Sequence, residues 1–338
     1  MAKDRIVSGM RPTGKLHLGH FHGALENWVR LQESYDCFFF VADWHALTTD
    51  FEDTSEIEAN IREMVIDWLS VGLDPERCTI FRQSWVKEHA ELYLLLSMVT
   101  PIGWLERNPT YKEQLQEIKN KDLSGLGFLG YPVLQAADIV LYGARRVPIG
   151  VDQLPHLELT REIVRRFNRL YDAMLVEPQH LLSTAPKLLG VDNRKMSKSY
   201  GNAILLSDSP GEVERKVALM ITDPARKRRK DPGNPDICNV FTYHKLYKSD
   251  EVLAAQDDLL PLAEVDRQCR SGEIGCVDDK RQLAREINAF LDATVRPRRA
   301  AIEKSPEQVD KILEKGSEKA RVAAGKTMAR VREVMGLG

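Results

Sequence analysis

The chain predicts an α/β fold: a doubly wound parallel sheet interrupted by a helical insertion and followed by an all-helical domain. Three observations carry this. Short apolar runs alternate with amphipathic stretches through the first hundred residues, residues 85–130 break that rhythm, and beyond about residue 206 strand-like runs cease while helical spacing continues.

"RIVSG" (5–9), "CFFFVAD" (37–43) and "CTIFRQS" (78–84) read as buried strands. A helix is expected from about His17 to Ser34, with Leu18, Phe21, Leu25, Trp28 and Val29 on its inner face. Ser55 and Glu58 have capping-box spacing. Ile57, Ile61, Met64, Val65, Trp68 and Leu69 then recur at helical spacing until Gly72 and Pro75. Strands alternating with helices imply right-handed crossovers and a parallel sheet. "RVPIGVDQ" (146–153) reads as a further strand leading into a helix that Asp152 caps, with Pro155 harmless in its first turn. "KRQLAREINAFLDATV" and "EKARVAAGKTMARVREVMGL" are helical throughout.

With 338 residues, 43% of them hydrophobic, two domains with real cores are within reach. The net charge of −2 excludes a uniformly basic surface, so contact with an acidic polymer falls to local patches. Five irregularly spaced cysteines do not form a secreted disulfide framework. "MAKDRIVSG" runs straight into a strand without a signal peptide, and "CFFFVA" is too short to cross a bilayer. A cytoplasmic protein with no membrane partner is expected.

The loop "RPTGKLHLGH" leaves the first strand and enters a helix, where a doubly wound fold brings phosphates to a helix N-terminus. It lacks the dinucleotide and P-loop glycine patterns. It offers His17 and His20 as donors around Gly19, which lets a flat ring approach the backbone. "RKMSKSYGN" (194–202) carries Lys195 and Lys198. On its own each segment reads as ordinary surface. In "YPVLQAADIVLY" (131–142) a lone carboxylate, Asp138, interrupts an apolar helix, a costly placement unless it is paired. Tyr131, Gln135, Asp138 and Tyr142 share one helical face, as a pocket wall would.

Together "HLGH" and "KMSKS" resemble the HIGH and KMSKS signatures of class I aminoacyl-tRNA synthetases. "GMRPTGKLHLGH", "VADWHALT", "YPVLQAAD", "VPIGVDQ", "HLELTREIVRRFN", "KMSKSYGN" and "VREVMGL" follow the tryptophanyl-tRNA synthetase pattern along most of the chain. The resemblance implies a Rossmann catalytic domain over 1–206, with a dimerising insertion at 85–130 and a KMSKS loop at 194–202. It also implies a helical anticodon-binding domain over 207–338, whose last helix packs back on the first domain, and an obligate homodimer. The implied reaction joins L-tryptophan and ATP, with Mg²⁺, into an adenylate and passes the amino acid to tRNA(Trp). The nucleophile is a carboxylate already ionised at neutral pH, so the site must align it and stabilise phosphate charge rather than supply a base.

By that resemblance His17, His20, Lys195 and Lys198 act on the phosphates, and Arg11, Pro12 and Thr13 line their path. Gly19, Gly150, Val151, Asp152 and Gln153 hold adenosine, Asp152 accepting from the ribose; Leu188 touches adenine. Met196, Ser197 and Ser199 complete the nucleotide loop. Val7, Gly9, His45, Tyr131, Gln135, Asp138, Val147 and Ile149 form the amino-acid pocket, with Asp138 accepting the ring N–H and lacking a permanent internal partner.

A tyrosyl enzyme is the alternative, because Tyr-x3-Gln-x2-Asp with Gln135 resembles that branch. Val7 argues for tryptophan: tyrosyl enzymes usually carry a Tyr at its position, and often an Asp at that of Arg11. A synthetase-like RNA-binding relative without catalysis is the second alternative. Some tryptophanyl enzymes of this subgroup bind a [4Fe-4S] cluster through four cysteines. Here Cys238, Cys269 and Cys276 remain and Asp279 takes the fourth place, so a degenerate site without a stable cluster is expected. Cys37 and Cys78 read as core residues. "RKRRKD" (226–231) is a candidate phosphate-binding loop, and "REIVRRFNRL" an ordinary amphipathic helix.

Overall fold

The computed structural model describes residues 3–118, 121–171, 175–182, 188–248 and 259–338. Five strands, β1 (Arg5–Met10), β2 (Asp36–Val41), β3 (Cys78–Arg82), β4 (Arg146–Ile149) and β5 (Gln179–Leu182), form one parallel sheet in the order β3-β2-β1-β4-β5. Residues alternate between faces. Ile6, Cys37, Phe39 and Ile80 share a core with Trp28, Trp68 and the C-terminal helices, whereas Val7, Phe38, Phe40 and Phe81 pack with helices Glu88–Val99 and Leu126–Val140. The strand order reverses between β1 and β4, the place where open α/β sheets bind ligands.

β4 is shorter than expected. Gly150 ends it, and Val151–Gln153 forms a 3-10 turn leading into helix Leu154–Tyr171. Asp152 does not cap that helix; its Oδ2 accepts from the side chain of Gln153. The Ser55–Glu58 box does not form either. The Ser55 hydroxyl is taken by Asp53 at 2.6 Å, and Glu58 is drawn to Arg82 at 2.7 Å, so helix Ile57–Ser70 starts without a side-chain cap. The expected helix from His17 is present, with one π-helical turn at Phe21–Leu25.

Beyond Leu206 the described residues hold helices and no strand. The last helix, Glu307–Val334, lies against β3 with Gly316, Ala320 and Ala324 on its buried side. Contact at Gly316 is backbone to backbone: a Cβ there would sit 1.8 Å from the Ile80 carbonyl oxygen. Gly316→Ala is therefore expected to cost about 2–3 kcal/mol, the scale of overpacking a rigid contact, read as a lower urea midpoint at unchanged slope. Among the described residues no helix is long and apolar enough to cross a membrane.

Candidate active site

A cavity of about 340 Å³ opens at the C-terminal ends of β1 and β4. Pro148 lacks an N–H, and the β1–β4 pairing is confined to Ile6 and Arg146, which leaves the two strand ends apart. Val7, Gly9, His45, Tyr131, Gln135, Asp138, Val147 and Ile149 line the cavity together with Arg11, Gly150 and Gln153. Gly9 is required by the aromatic wall, since a Cβ there would lie 2.3 Å from the Phe40 ring. The polar stripe of the 126–140 helix thus faces the cavity along an otherwise apolar wall.

Asp138 differs from expectation. It is buried and fully partnered: Gln83 Nε2 lies 2.8 and 2.9 Å from its two oxygens, His89 Nδ1 2.6 Å from Oδ1, and His45 Nε2 2.9 Å from Oδ2. His89 Nε2 in turn meets the Tyr142 hydroxyl at 2.6 Å, so Tyr142 braces the carboxylate from behind instead of lining the cavity. Burial pushes the Asp138 carboxyl up, but the charge and hydrogen bonds of His89 and His45 outweigh it and hold it at about 2. The physical reason is the one raised by the sequence: a carboxylate in an apolar wall needs donors in every state. Only His45, of its three partners, lines the cavity.

Sequence reasoning missed Gln83 and His89, which lie within or beside the segment read as an insertion. His89 carried a signal, since it shares a buried helical face with Leu92, Leu96 and Val99. His156 was also missed; its Nε2 contacts the Tyr131 hydroxyl at 3.1 Å.

The histidine turn lies next to this cavity in sequence. His17 caps helix Leu18–His20, and the two rings stack with centroids 3.7 Å apart. Each Nδ1 accepts the backbone N–H of the other residue at 3.2 Å. That reciprocal pair leaves each neutral ring with its proton on Nε2, a ready donor. Burial, and for His20 the neighbouring His17, lower the two imidazoles to about 4 and about 3, with the Lys198 ammonium adding to both. Burial likewise lowers His156 to about 4. In the unfolded chain these rings titrate near 6.5, so below that pH the unfolded state binds more protons. Stability is expected to be fully present above pH 6.5 and to fall as pH drops toward about 4, measurable as a declining melting temperature.

Lys198 reaches from its hairpin to the Thr13 carbonyl oxygen and lies close to Gly14. Met196 packs near Gly19. Ser197 and Ser199 share a hydroxyl contact at 2.8 Å. Asn202 staples the hairpin, donating to Asp192 Oδ1 and the Lys195 carbonyl while accepting the Ser197 N–H. Lys195 stands exposed on this hairpin, Pro12 is buried, and Thr13, Val151 and Asp152 are exposed. Leu188 is buried in the core cluster, outside the cavity lining. Arg11 lines the cavity; its Nη2 contacts Thr49 and Asp50, and its buried Nε has no partner.

Cys238, Cys269, Cys276 and Asp279 lie within electrostatic reach of one another. Asp279 Oδ1 is engaged by His244 Nε2 at 3.1 Å, and Arg226 approaches Cys269 Sγ. Burial pushes the Cys238 thiol up and, with the Asp279 carboxylate adding to it, the Cys269 thiol up to about 11. Among the described residues no group of three or more His, Cys, Asp or Glu side chains is placed to hold a metal ion.

The family model of class I tRNA synthetases (W and Y) matches residues 2–292. Tryptophan--tRNA ligase of Thermotoga maritima is 52% identical over 98% of this chain and 99% of its own length. That of Aquifex aeolicus is 45% identical over 98% and 100%. The crystal structure of tryptophanyl-tRNA synthetase from Campylobacter jejuni complexed with ADP and tryptophan superposes with a TM-score of 0.85 at 31% identity, covering 98% of this chain and 100% of that one. Matches of this identity and length, on a sheet with both signatures at its ligand edge, place the chain in the class I tRNA synthetases of the tryptophan and tyrosine type, as a bacterial tryptophan--tRNA ligase.

Proposed function

We propose that the cavity between β1 and β4 holds the tryptophan side chain while His17, His20, Lys195, Lys198 and Arg11 hold the triphosphate of ATP. The observation that carries this is the division of the site: a cavity with apolar side chains around one braced carboxylate and further polar groups, beside a cluster of neutral imidazole donors and cations. Val7, Phe40, Ile139, Val147 and Ile149 suit an indole ring, and Asp138 accepts its N–H at Oδ2 when His45 yields that position. Val7 offers no hydrogen bond for a phenol.

As a tryptophan--tRNA ligase the protein activates tryptophan and charges tRNA. In activation the amino-acid carboxylate attacks the α-phosphorus, the new O–P bond forms as the bond to the β-phosphate oxygen breaks, and pyrophosphate leaves. The Nε2–H groups of His17 and His20 donate to phosphate oxygens without carrying charge at neutral pH, and Lys198 and Arg11 supply the positive field. The unpartnered Arg11 Nε supports a phosphate in that place. Mg²⁺ enters as part of the MgATP substrate. Gly150 and Gln153, which line the cavity, and the exposed Asp152 hold adenosine in this reading, Asp152 accepting from the ribose.

Residues 1–206 form the catalytic unit and 207–338 the tRNA-reading unit in this reading. The exposed cations Lys227, Arg228 and Lys230 offer phosphate contacts. Leu94, Met98, Ile102 and Leu126, all exposed within 85–130, supply an apolar face for a homodimer, and the cytoplasm is the expected compartment. ATP–pyrophosphate exchange with each of the twenty amino acids tests the substrate reading. Stimulation by tryptophan is the expected result, and stimulation by tyrosine alone would overturn it.

A further inference from the structure

The C-terminal helices hold the histidine turn through a buried ion pair. Leu16, the residue before His17, donates its N–H to Asp67 Oδ2 at 2.6 Å. Asp67 is fully buried in helix Ile57–Ser70, and its Oδ1 accepts from Arg299 Nη1 at 2.6 Å. Arg299 comes from helix Val295–Glu303, far along the chain in the helical domain, and is itself buried. Its other N–H groups go to Glu63 at 2.6 Å and Glu303 at 2.8 Å.

The same turn is fixed on its other side by the chain leaving the KMSKS hairpin. Leu206 N–H donates to the Leu16 carbonyl at 2.9 Å, and Leu18 N–H donates to the Ile204 carbonyl at 3.0 Å. Leu16 is thus held at both of its backbone groups. A buried ion pair adds little net stability over apolar packing of the same volume, but it fixes geometry sharply. Asp67 spends one oxygen on the turn and the other on the second domain, an arrangement that transmits position.

We propose that Asp67 and Arg299 are positioning residues for adenylate formation, setting His17 and His20 against Lys198 from the helical domain. This rests on the reading of the phosphate site given above. A shift of the turn by a fraction of an ångström alters donors that must meet the transition state, whereas Val7, Asp138, Val147 and Ile149 of the cavity come from β1, β4 and helix Leu126–Val140.

The test is ATP–pyrophosphate exchange by the full-length protein carrying Asp67→Asn, Arg299→Met, Arg299→Lys or Glu303→Gln, with melting temperatures in parallel. Asp67→Asn and Arg299→Met are expected to lower kcat about tenfold or more with the KM for tryptophan within about twofold of wild type. Arg299→Lys recovers part of that loss, and Glu303→Gln leaves both constants near wild type. Asp67→Asn is isosteric, so it carries the test if Arg299→Met does not fold. A folded Asp67→Asn protein with wild-type kcat overturns the proposal, as does a loss confined to melting temperature. Lys198→Ala separates the two readings: if it is inactive while Asp67→Asn is fully active, positioning alone fails; if Lys198→Ala is fully active, the phosphate-site reading fails with it.

Discussion

Lys198→Ala is expected to reduce the single-turnover rate of tryptophanyl-adenylate formation by about 10²–10³-fold, the usual effect of removing one preorganised group that meets transition-state charge. Tryptophan affinity, followed by equilibrium dialysis, is expected to change less than about threefold. The asymmetry follows from position. Lys198 reaches Thr13 and the glycine after it, on the proposed phosphate path, and takes no part in lining the cavity proposed for tryptophan. Its charge is worth most when negative charge grows on the departing pyrophosphate, because partly buried charges interact more strongly than exposed ones. Equal losses in rate and binding would place Lys198 in ground-state binding instead.

Asp138→Asn is expected to act on both recognition and stability. The variant keeps the volume but loses the ionised acceptor on which Gln83, His89 and His45 converge. One of those donors then faces an amide N–H, and breaking a buried charged network of this kind costs about 3–5 kcal/mol. kcat/KM for tryptophan is expected to fall by at least about 10²-fold in the protein that remains folded, since each 1.4 kcal/mol of lost recognition is tenfold. Exchange kinetics at several tryptophan concentrations, together with urea titration, separate the two effects. His89→Gln is the companion: it leaves the carboxylate in place, so its expected loss is smaller than that of Asp138→Asn.

Much of the sheet was legible because its strands are buried on both faces and read as apolar runs. β5 was not, since "QHLL" is short and mostly exposed at the sheet edge. The Ser55–Glu58 pattern misled because competing partners, Asp53 and Arg82, lie close enough to capture both side chains. The cavity wall was legible at Tyr131, Gln135 and Asp138 because helical periodicity puts them on one face. Asp138's brace was not, because Gln83 and His89 lie about fifty residues upstream and no local pattern links them to it. Spacing showed that a carboxylate was misplaced in an apolar helix. Only the fold could show that Gln83 and His89 brace it from behind and that His45 is the partner lining the cavity.

In the proposed site Asp138 reads the indole N–H. The most direct measurement compares ATP–pyrophosphate exchange with tryptophan and with its benzothiophene analogue, which keeps the ring shape and replaces N–H by sulfur. Because Gln83, His89 and His45 still satisfy Asp138, the analogue forfeits one hydrogen bond to a charged group, about 1.5–3 kcal/mol, or about 10–10²-fold in kcat/KM. A loss approaching that size, with exchange still dependent on Asp138, is the predicted result; activation of the analogue as efficiently as tryptophan would contradict it.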